Sequence, residues 1–455
     1  MKKNKNINAF VIIVISLTFF ACQAPYEKAT KPNVILIMAD DIGFECLSIN
    51  GSTSYRTPVL DSLAENGVNF KRALSQPLCT PSRVKIMTGK YNYKNYEYFT
   101  YLNPNQKTFG NLFKENGYKT AVVGKWQLNG IEHKIQGFND NKRPNHFGFD
   151  EYCLWQLTKR KSQGERFANP LIEQNGKFLP RDKDAYGPDI VSDYAIEFIK
   201  RNKNNPFFIY YPMLLVHSPF VPTPDTPEWK SMDTRSQKNN RFFTDMVEYM
   251  DKLIGKISKE LSKQGIAENT LILFVGDNGT NVNLVSQTKN GPVRGGKGNT
   301  ITHGHHVPMV AYWPKKIKNP TQYDGLINFN DFYATFCDIL KVNNESDGKS
   351  FMDVLTTNNL LKRDITTIYY DPHHHLGSNV SKQRLNISKL RNVFTQNARY
   401  KLYKDGRFFD IENDVLETNP LIDEKLDNHQ KEIRKKLSIE LTNFPELPQR
   451  DFLVK

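Results

Sequence analysis

From Val34 to Ala39 the chain reads VILIMA, with no polar residue that either side of a strand could turn to water. A strand with one wet face alternates polar and apolar residues. An unbroken β-branched run has to be covered on both faces, which is the position of a strand inside a parallel sheet flanked by helices. The run Leu271–Val275 (LILFV) is of the same kind, and Phe207–Tyr211, Thr120–Val123 and Val307–Trp313 read as further strands. Helical patterns fall between them. Thr57-Pro58 opens one that Asn66-Gly67 ends, and others cover 107–117, 188–202 and 241–264. Strands alternating with helices predict an α/β fold with a mostly parallel, doubly wound sheet. With 455 residues there is room for one large α/β domain and a smaller one.

After about residue 355 the pattern changes. Short runs at Ile365–Tyr370, Asn392–Thr395 and Tyr400–Lys404, with a turn at Asp405-Gly406, predict a small antiparallel sheet followed by a helix over 423–442. The division expected is 33–355 for the main domain and 356–455 for a C-terminal subdomain. Ahead of these, Lys2, Lys3 and Lys5 precede the apolar stretch 7–20, which is too short to span a bilayer stably. Ala21-Cys22 follows at once. This resembles a lipoprotein signal over 1–21, which would leave Cys22 as the lipidated first residue, a tether over 22–32, and a membrane-anchored protein of the periplasm or cell surface. An ordinary signal peptide cut nearby is the alternative, and it also predicts export. Setting aside Cys22 and Cys79, the five cysteines leave three, so this is no disulfide scaffold.

Three segments carry chemistry. Asp40-Asp41 follows the strand Asn33–Ala39 directly, and Gly276-Asp277-Asn278-Gly279 follows Leu271–Val275. In open α/β sheets, ligands sit at the carboxyl ends of strands. Adjacent carboxylates there repel one another unless a cation joins them. Asp40, Asp41, Asp277 and Asn278 offer only oxygen, which suits calcium or magnesium and not zinc. The third segment is Cys79-Thr80-Pro81-Ser82-Arg83, followed by Thr88-Gly89. It also opens a predicted helix, whose first-turn amides favour an anion.

The pattern C-x-P-x-R with the downstream Thr-Gly resembles the signature of the formylglycine-dependent sulfatases. KPNVILIMADDIG, TPVLDSLAENGVNF, GYKTAVVGKWQL, HFGFDEY, HSPFVP, LILFVGDNG, RGGKG and FFDIENDVLETNPL extend the resemblance, in order, over nearly the whole chain. The resemblance implies an alkaline-phosphatase-like three-layer sandwich. It implies that a maturation enzyme, guided by Pro81 and Arg83, oxidises Cys79 to formylglycine, whose hydrate attacks sulfur and then expels sulfate. Asp40, Asp41, Asp277 and Asn278, with modified Cys79, resemble the ligands of one calcium ion. Arg83 would brace the modified residue, Lys125 would hold a sulfate oxygen, and His217 and Lys297 would stand at the leaving-group oxygen, His217 first in line as general acid. Asp277 could take the nucleophile's proton.

The chain also departs from the family. Gln127 stands where many members have histidine, and glutamine cannot act as a base near neutral pH. After Lys297, Thr302 and His306 replace an acidic residue and an arginine. His303, His306, His373 and His374, with Gln127, are expected to face substrate, while His305 joins the same histidine cluster. Two other readings stay open: a phosphatase or phosphodiesterase of the same superfamily, and a glycan-binding lipoprotein without turnover. The net charge of +14 (62 Lys+Arg against 48 Asp+Glu) favours an anionic partner. No nucleic-acid signature accompanies it, which leaves an acidic membrane, an acidic polysaccharide or simply scattered surface charge; the family resemblance, with export and an anchor, implies a sulfated carbohydrate as substrate.

Overall fold

The run that opens the chain's buried segment is strand β1 (Asn33–Ala39), and all seven of its residues are buried. The computed structural model describes residues 31–357, 363–371 and 392–445. The signal segment, Cys22, His373 and His374 lie outside the described residues. The remaining strands are β2 (Val68–Leu74), β3 (Lys119–Lys125), β4 (Glu151–Trp155), β5 (Ile172–Gln174), β6 (Lys177–Phe178), β7 (Phe207–Pro212) and β8 (Thr270–Gly276). There follow β9 (Val285–Thr288), β10 (Gly291–Arg294), β11 (His306–Tyr312) and β12 (Thr321–Asn328). Ten strands form one sheet in the order β12-β2-β11-β8-β1-β7-β3-β4-β5-β6. β1 is central and pairs in parallel with β7 (Leu36 opposite Tyr210) and β8 (Leu36 opposite Leu273). β11 runs antiparallel to both its neighbours, as do β5 and β6 at the far edge.

The continuous apolar run is explained by the two layers it separates. Ile35 and Ile37 join a cluster with Val191 and Phe198 of the helix Gly187–Asn202 and with Phe243 and Met246 of Phe242–Lys263. Val34, Leu36 and Met38 point the other way. They pack with Val84 and Met87 of the helix Cys79–Thr88, Phe109 and Phe113 of Phe109–Glu115, and Phe332 and Phe336 of Asp331–Leu340. Each such side chain contributes about 1.5–3 kcal/mol when fully buried. The result is a three-layer α/β sandwich. The helix Cys79–Thr88 sits deepest, with all ten residues buried.

Past the main sheet, β13 (Thr366–Tyr370), β14 (Asn392–Gln396), β15 (Tyr400–Tyr403) and β16 (Phe408–Asp410) form a four-stranded antiparallel sheet. The β15–β16 connection turns at Gly406, whose φ of 94° is open only to a residue without a Cβ penalty. The final helix, Asn428–Leu441, starts later than expected, because Asp427 caps it by accepting from Gln430 N at 2.8 Å. Its Leu437 and Leu441 cluster with Tyr400, Leu402 and Phe408 of the small sheet. No described helix is long and apolar enough to cross a membrane.

Candidate active site

The carboxyl ends of four neighbouring strands, β8, β1, β7 and β3, converge at one edge of the sheet. Asp40 and Asp41 leave β1, Asp277 and Asn278 leave β8, Lys125 is the last residue of β3, and His217 follows β7. Main-chain bonds lock these ends together: Asp40 N donates to Leu215 O at 2.8 Å, and Asp277 N to Ala39 O at 2.9 Å. Gly124, one residue before Lys125, has φ 116°, and a Cβ there would stand 2.0 Å from Pro212 O. Only glycine lets β3 pass β7 closely enough to deliver Lys125 to this edge.

Asp40, Asp41, Asp277 and Asn278 are each 0% exposed. Lys125 Nζ donates to Asp40 Oδ2 at 2.7 Å, and Lys297 Nζ to Asp41 Oδ2 at 2.5 Å. Arg83 Nη2 donates to Asp277 Oδ2 at 3.1 Å and stands 3.8 Å from Asp40 Oδ1. Arg83 Nη1 donates to Lys125 O at 3.0 Å. Asn278 Nδ2 donates to Asp41 Oδ1 at 2.9 Å, and Asp41 N to Asp277 Oδ1 at 3.0 Å. Burial works against charge on Asp40, yet the surrounding cations, Lys125 foremost, hold its carboxyl well below the usual range. Asp277 is pushed up to about 7 by burial and the neighbouring charge of Asp40, against the pull of Arg83. Burial works against charge on Lys297, yet the surrounding negative groups, Asp41 foremost, together outweigh it and keep the amine charged.

Cys79 opens the helix Cys79–Thr88 at the same edge. No side chain caps that helix's N-terminus. The Cys79 thiol donates to Gln127 Oε1 at 3.3 Å, and burial pushes it up despite Lys125 and Lys297. Unmodified Cys79 is thus a protonated thiol and a poor nucleophile. Gln127 reaches it from a left-handed backbone conformation, φ 56°.

His217 Nε2 faces Asp41 Oδ2 at 3.7 Å. Its other ring nitrogen, Nδ1, meets Arg166 Nη2 at 3.1 Å and Ser218 O at 2.6 Å. Burial lowers His217 to about 3, overriding Asp41 and Asp40, so its imidazole is neutral. Arg166 escaped the sequence reading. It lies in the polar stretch 159–166, where nothing marks one cation from another, and only the fold sets its guanidinium 4.6 Å over the Trp155 ring.

Two buried oxygens at this edge, Asp40 Oδ1 and Asn278 Oδ1, have no hydrogen-bond partner. Orphaned buried acceptors are costly. The donor set is oxygen-rich, and Asp40, Asp41 and His217 offer ligand atoms within 4.8 Å of one another. These residues fit a hard divalent cation. Four cations (Arg83, Lys125, Arg166, Lys297) already outnumber three carboxylates (Asp40, Asp41, Asp277). A divalent ion would add to that surplus of positive charge, which suits an anionic ester.

The histidines downstream are placed otherwise. His306 stacks on Phe44 with ring centroids 4.3 Å apart, and its Nε2 meets Lys71 O at 2.8 Å. Burial takes His306 down to about 4. His303 Nδ1 meets Arg294 O at 3.1 Å, beside the β9–β10 hairpin, and buried His305 meets Gln396 of the small sheet at 3.1 Å. Each of these rings is engaged with main chain or with the subdomain.

A three-layer sandwich with an oxygen-lined edge and a cysteine at a helix N-terminus is the architecture expected of the alkaline-phosphatase-like fold. A family model described as Sulfatase matches residues 32–342, and one described as N-sulphoglucosamine sulphohydrolase, C-terminal, matches residues 300–446. The chain belongs to the sulfatase family and is a sulfuric ester hydrolase. It is similar to a "Sulfatase" of Formosa agariphila, 26% identical over 93% of this chain and 90% of that one. It is also similar to an N-acetylgalactosamine-6-O-sulfatase of Bacteroides thetaiotaomicron, 29% identical over 69% of this chain and 74% of the relative. Among solved structures, i-CgsB in complex with k-i-k-neocarrahexaose superposes with a TM-score of 0.69 at 26% identity, over 91% of this chain and 92% of that one.

Proposed function

We propose that the protein removes sulfate from a sulfated carbohydrate, using formylglycine made from Cys79 by a maturation enzyme and one calcium ion held by Asp40, Asp41, Asp277, Asn278 and the modified residue 79. The observation that carries this reading is the pair of unpartnered buried oxygens, Asp40 Oδ1 and Asn278 Oδ1, beside a buried cysteine at a helix N-terminus. When present, the ion supplies positive charge for the sulfuryl group, and the hydrated aldehyde supplies the attacking hydroxyl. The chain's own residues do the rest. Lys125 holds a sulfate oxygen, Lys297 stands with His217 at the leaving-group oxygen, and Arg83 holds Asp277 in place. Asp277 accepts a proton from the nucleophile, and His217 donates a hydrogen bond to the leaving-group oxygen. Gln127 orients residue 79 without accepting its proton.

The relative named for N-acetylgalactosamine 6-O-sulfate and the neocarrahexaose complex support a saccharide substrate. The basic balance of +14 supports an acidic polymer. Export and a lipid anchor on Cys22 belong to the same proposal and rest on the N-terminal sequence alone. Gln127 favours a second reading, glycan binding without turnover. Sulfate release from a panel of defined sulfated oligosaccharides, with Cys79→Ala as control, separates the two. Release by the wild type and none by the variant is expected. If Cys79 is unmodified in protein from the native host and no sulfate is released, the binding reading stands.

A further inference from the structure

We infer that Lys401, Tyr403 and Glu417 are positioning residues, which hold the loop carrying Lys297 against the active-site edge. The consequence for turnover rests on the sulfatase reading; the hold on the loop does not. Lys401 and Tyr403 take alternate positions on β15, so their side chains leave one face of the small sheet. Both reach Thr300, just beyond Lys297 in the chain. Lys401 Nζ donates to Thr300 O and, at 2.7 Å, to Glu417 Oε1. The Tyr403 hydroxyl meets Glu417 Oε2 and lies 3.1 Å from Thr300 Oγ1. A carboxylate only accepts, so Glu417 takes the Tyr403 proton, and the Thr300 hydroxyl donates to Tyr403. The side chains of Lys401 and Glu417 are 0% and 3% exposed.

A buried ion pair is a poor source of stability, because desolvating both charges offsets most of their attraction. What this one does is fix geometry: with Tyr403 it converges on a single residue of a loop outside the small sheet. That loop is fastened at its start by main-chain bonds. Lys297 N donates to Thr280 O at 3.0 Å, beyond Asn278, and Gly298 N to Pro77 O at 2.8 Å, ahead of Cys79. At its far end buried His305 meets Gln396 of β14 at 3.1 Å. Between these ties Gly298 and Asn299 are exposed and Lys297 and Thr300 half-buried. No packed apolar side chain of this stretch holds Lys297 Nζ on Asp41 Oδ2. The grip on Thr300 closes that gap.

The test follows amide hydrogen exchange in the full chain with Cys79 left unmodified. Burial draws Lys401 down to about 8 against the pull of Glu417, so exchange is measured below that value. In Tyr403→Phe, and in Lys401→Met combined with Glu417→Gln, the amides of Lys297 and Gly298 should exchange about tenfold faster. Those of β14 and of the helix Asn428–Leu441 should hold. Unchanged exchange at Lys297 and Gly298 overturns the proposal. Equal loosening of the loop and the small sheet also overturns it, by making the three residues merely structural. Tyr403→Phe keeps the ring against Phe394 and Phe409, so it remains readable if the double variant fails to fold. In matured enzyme, Tyr403→Phe should lower kcat on a sugar sulfate by up to about 10²-fold with KM little changed. In a Lys297→Ala background it should cost nothing further. Losses that multiply overturn the link through Lys297. If the wild type releases no sulfate at all, the functional reading fails, while hydrogen exchange still decides the hold on the loop.

Discussion

Lys125 binds one oxygen of Asp40 at 2.7 Å, while the other oxygen of that carboxylate, Oδ1, has no hydrogen-bond partner. The two ends of one side chain thus serve different partners. A lysine steadies one, and the other, 3.8 Å from Arg83 Nη2, makes no hydrogen bond. Leaving a buried acceptor unpaired costs about 1–3 kcal/mol, a cost that a bound cation removes.

Calcium should therefore stabilise the fold. At a hundred times its Kd the gain is about 2.7 kcal/mol, read as a rise in Tm that a chelator reverses. Asp40→Asn should flatten the response. A Tm indifferent to both calcium and chelator contradicts the proposed ligand set.

Removing single groups from the site should separate their tasks. Cys79→Ala and Asp277→Ala should abolish sulfate release. Lys125→Ala should lower kcat by about 10²–10³-fold, the usual loss when one oxyanion contact goes. Mass spectrometry of the wild-type peptide should show the thiol of Cys79 exchanged for a carbonyl oxygen. Turnover by Cys79→Ala rules out the mechanism.

Lys85, on the same helix as Cys79, is fully buried, with Nζ unpartnered 5.0 Å above the Tyr91 ring. Burial takes it down to about 7 from an ordinary 10.5. The unfolded chain therefore binds the proton more tightly, and stability should rise with pH between these two values. Lys85→Met should be more stable by about 1–4 kcal/mol near neutral pH, an advantage that fades toward pH 10. Denaturant titrations across that window check it, and a less stable variant at neutral pH refutes it.

Asp251, on the helix Phe242–Lys263, accepts from Val59 N at 2.9 Å and Leu60 N at 2.8 Å, capping the helix Pro58–Glu65 from across the fold. Burial raises it to about 6 from 3.8. Because the folded value is the higher one, its contribution is full below 3.8 and is lost as pH rises through 6. Wild-type stability should fall relative to Asp251→Asn over that window, by at most about 3 kcal/mol. Asp251→Ala should cost about 1–3 kcal/mol. Parallel pH profiles for wild type and Asp251→Asn would contradict the shift.

Much of this was legible in the sequence because burial on two faces leaves a plain signature. The segments of β1, β7 and β8 could be read as strands, and their carboxyl ends located Asp40, Asp41 and Asp277. β2 could not be read, because VNFKRAL carries Lys71 and Arg72 half-buried in mid-strand, and β12 is broken by an irregularity between Tyr323 and Leu326. His306 shows the opposite failure. Its place in a histidine cluster pointed to substrate, whereas Phe44 and Lys71, remote in sequence, engage its ring. Arg166 was invisible because a long side chain from a polar loop has no position until Trp155 gives it one.

The helix that begins with Cys79 has one more consequence. Its thiol is 2% exposed, and every residue around it on the helix is closed off from solvent. Any enzyme that edits this side chain has to grip the segment as an extended peptide, before the sheet and its helices close. Editing would then be a matter of timing in the cell, and a chain that folded first would keep its sulfur for good.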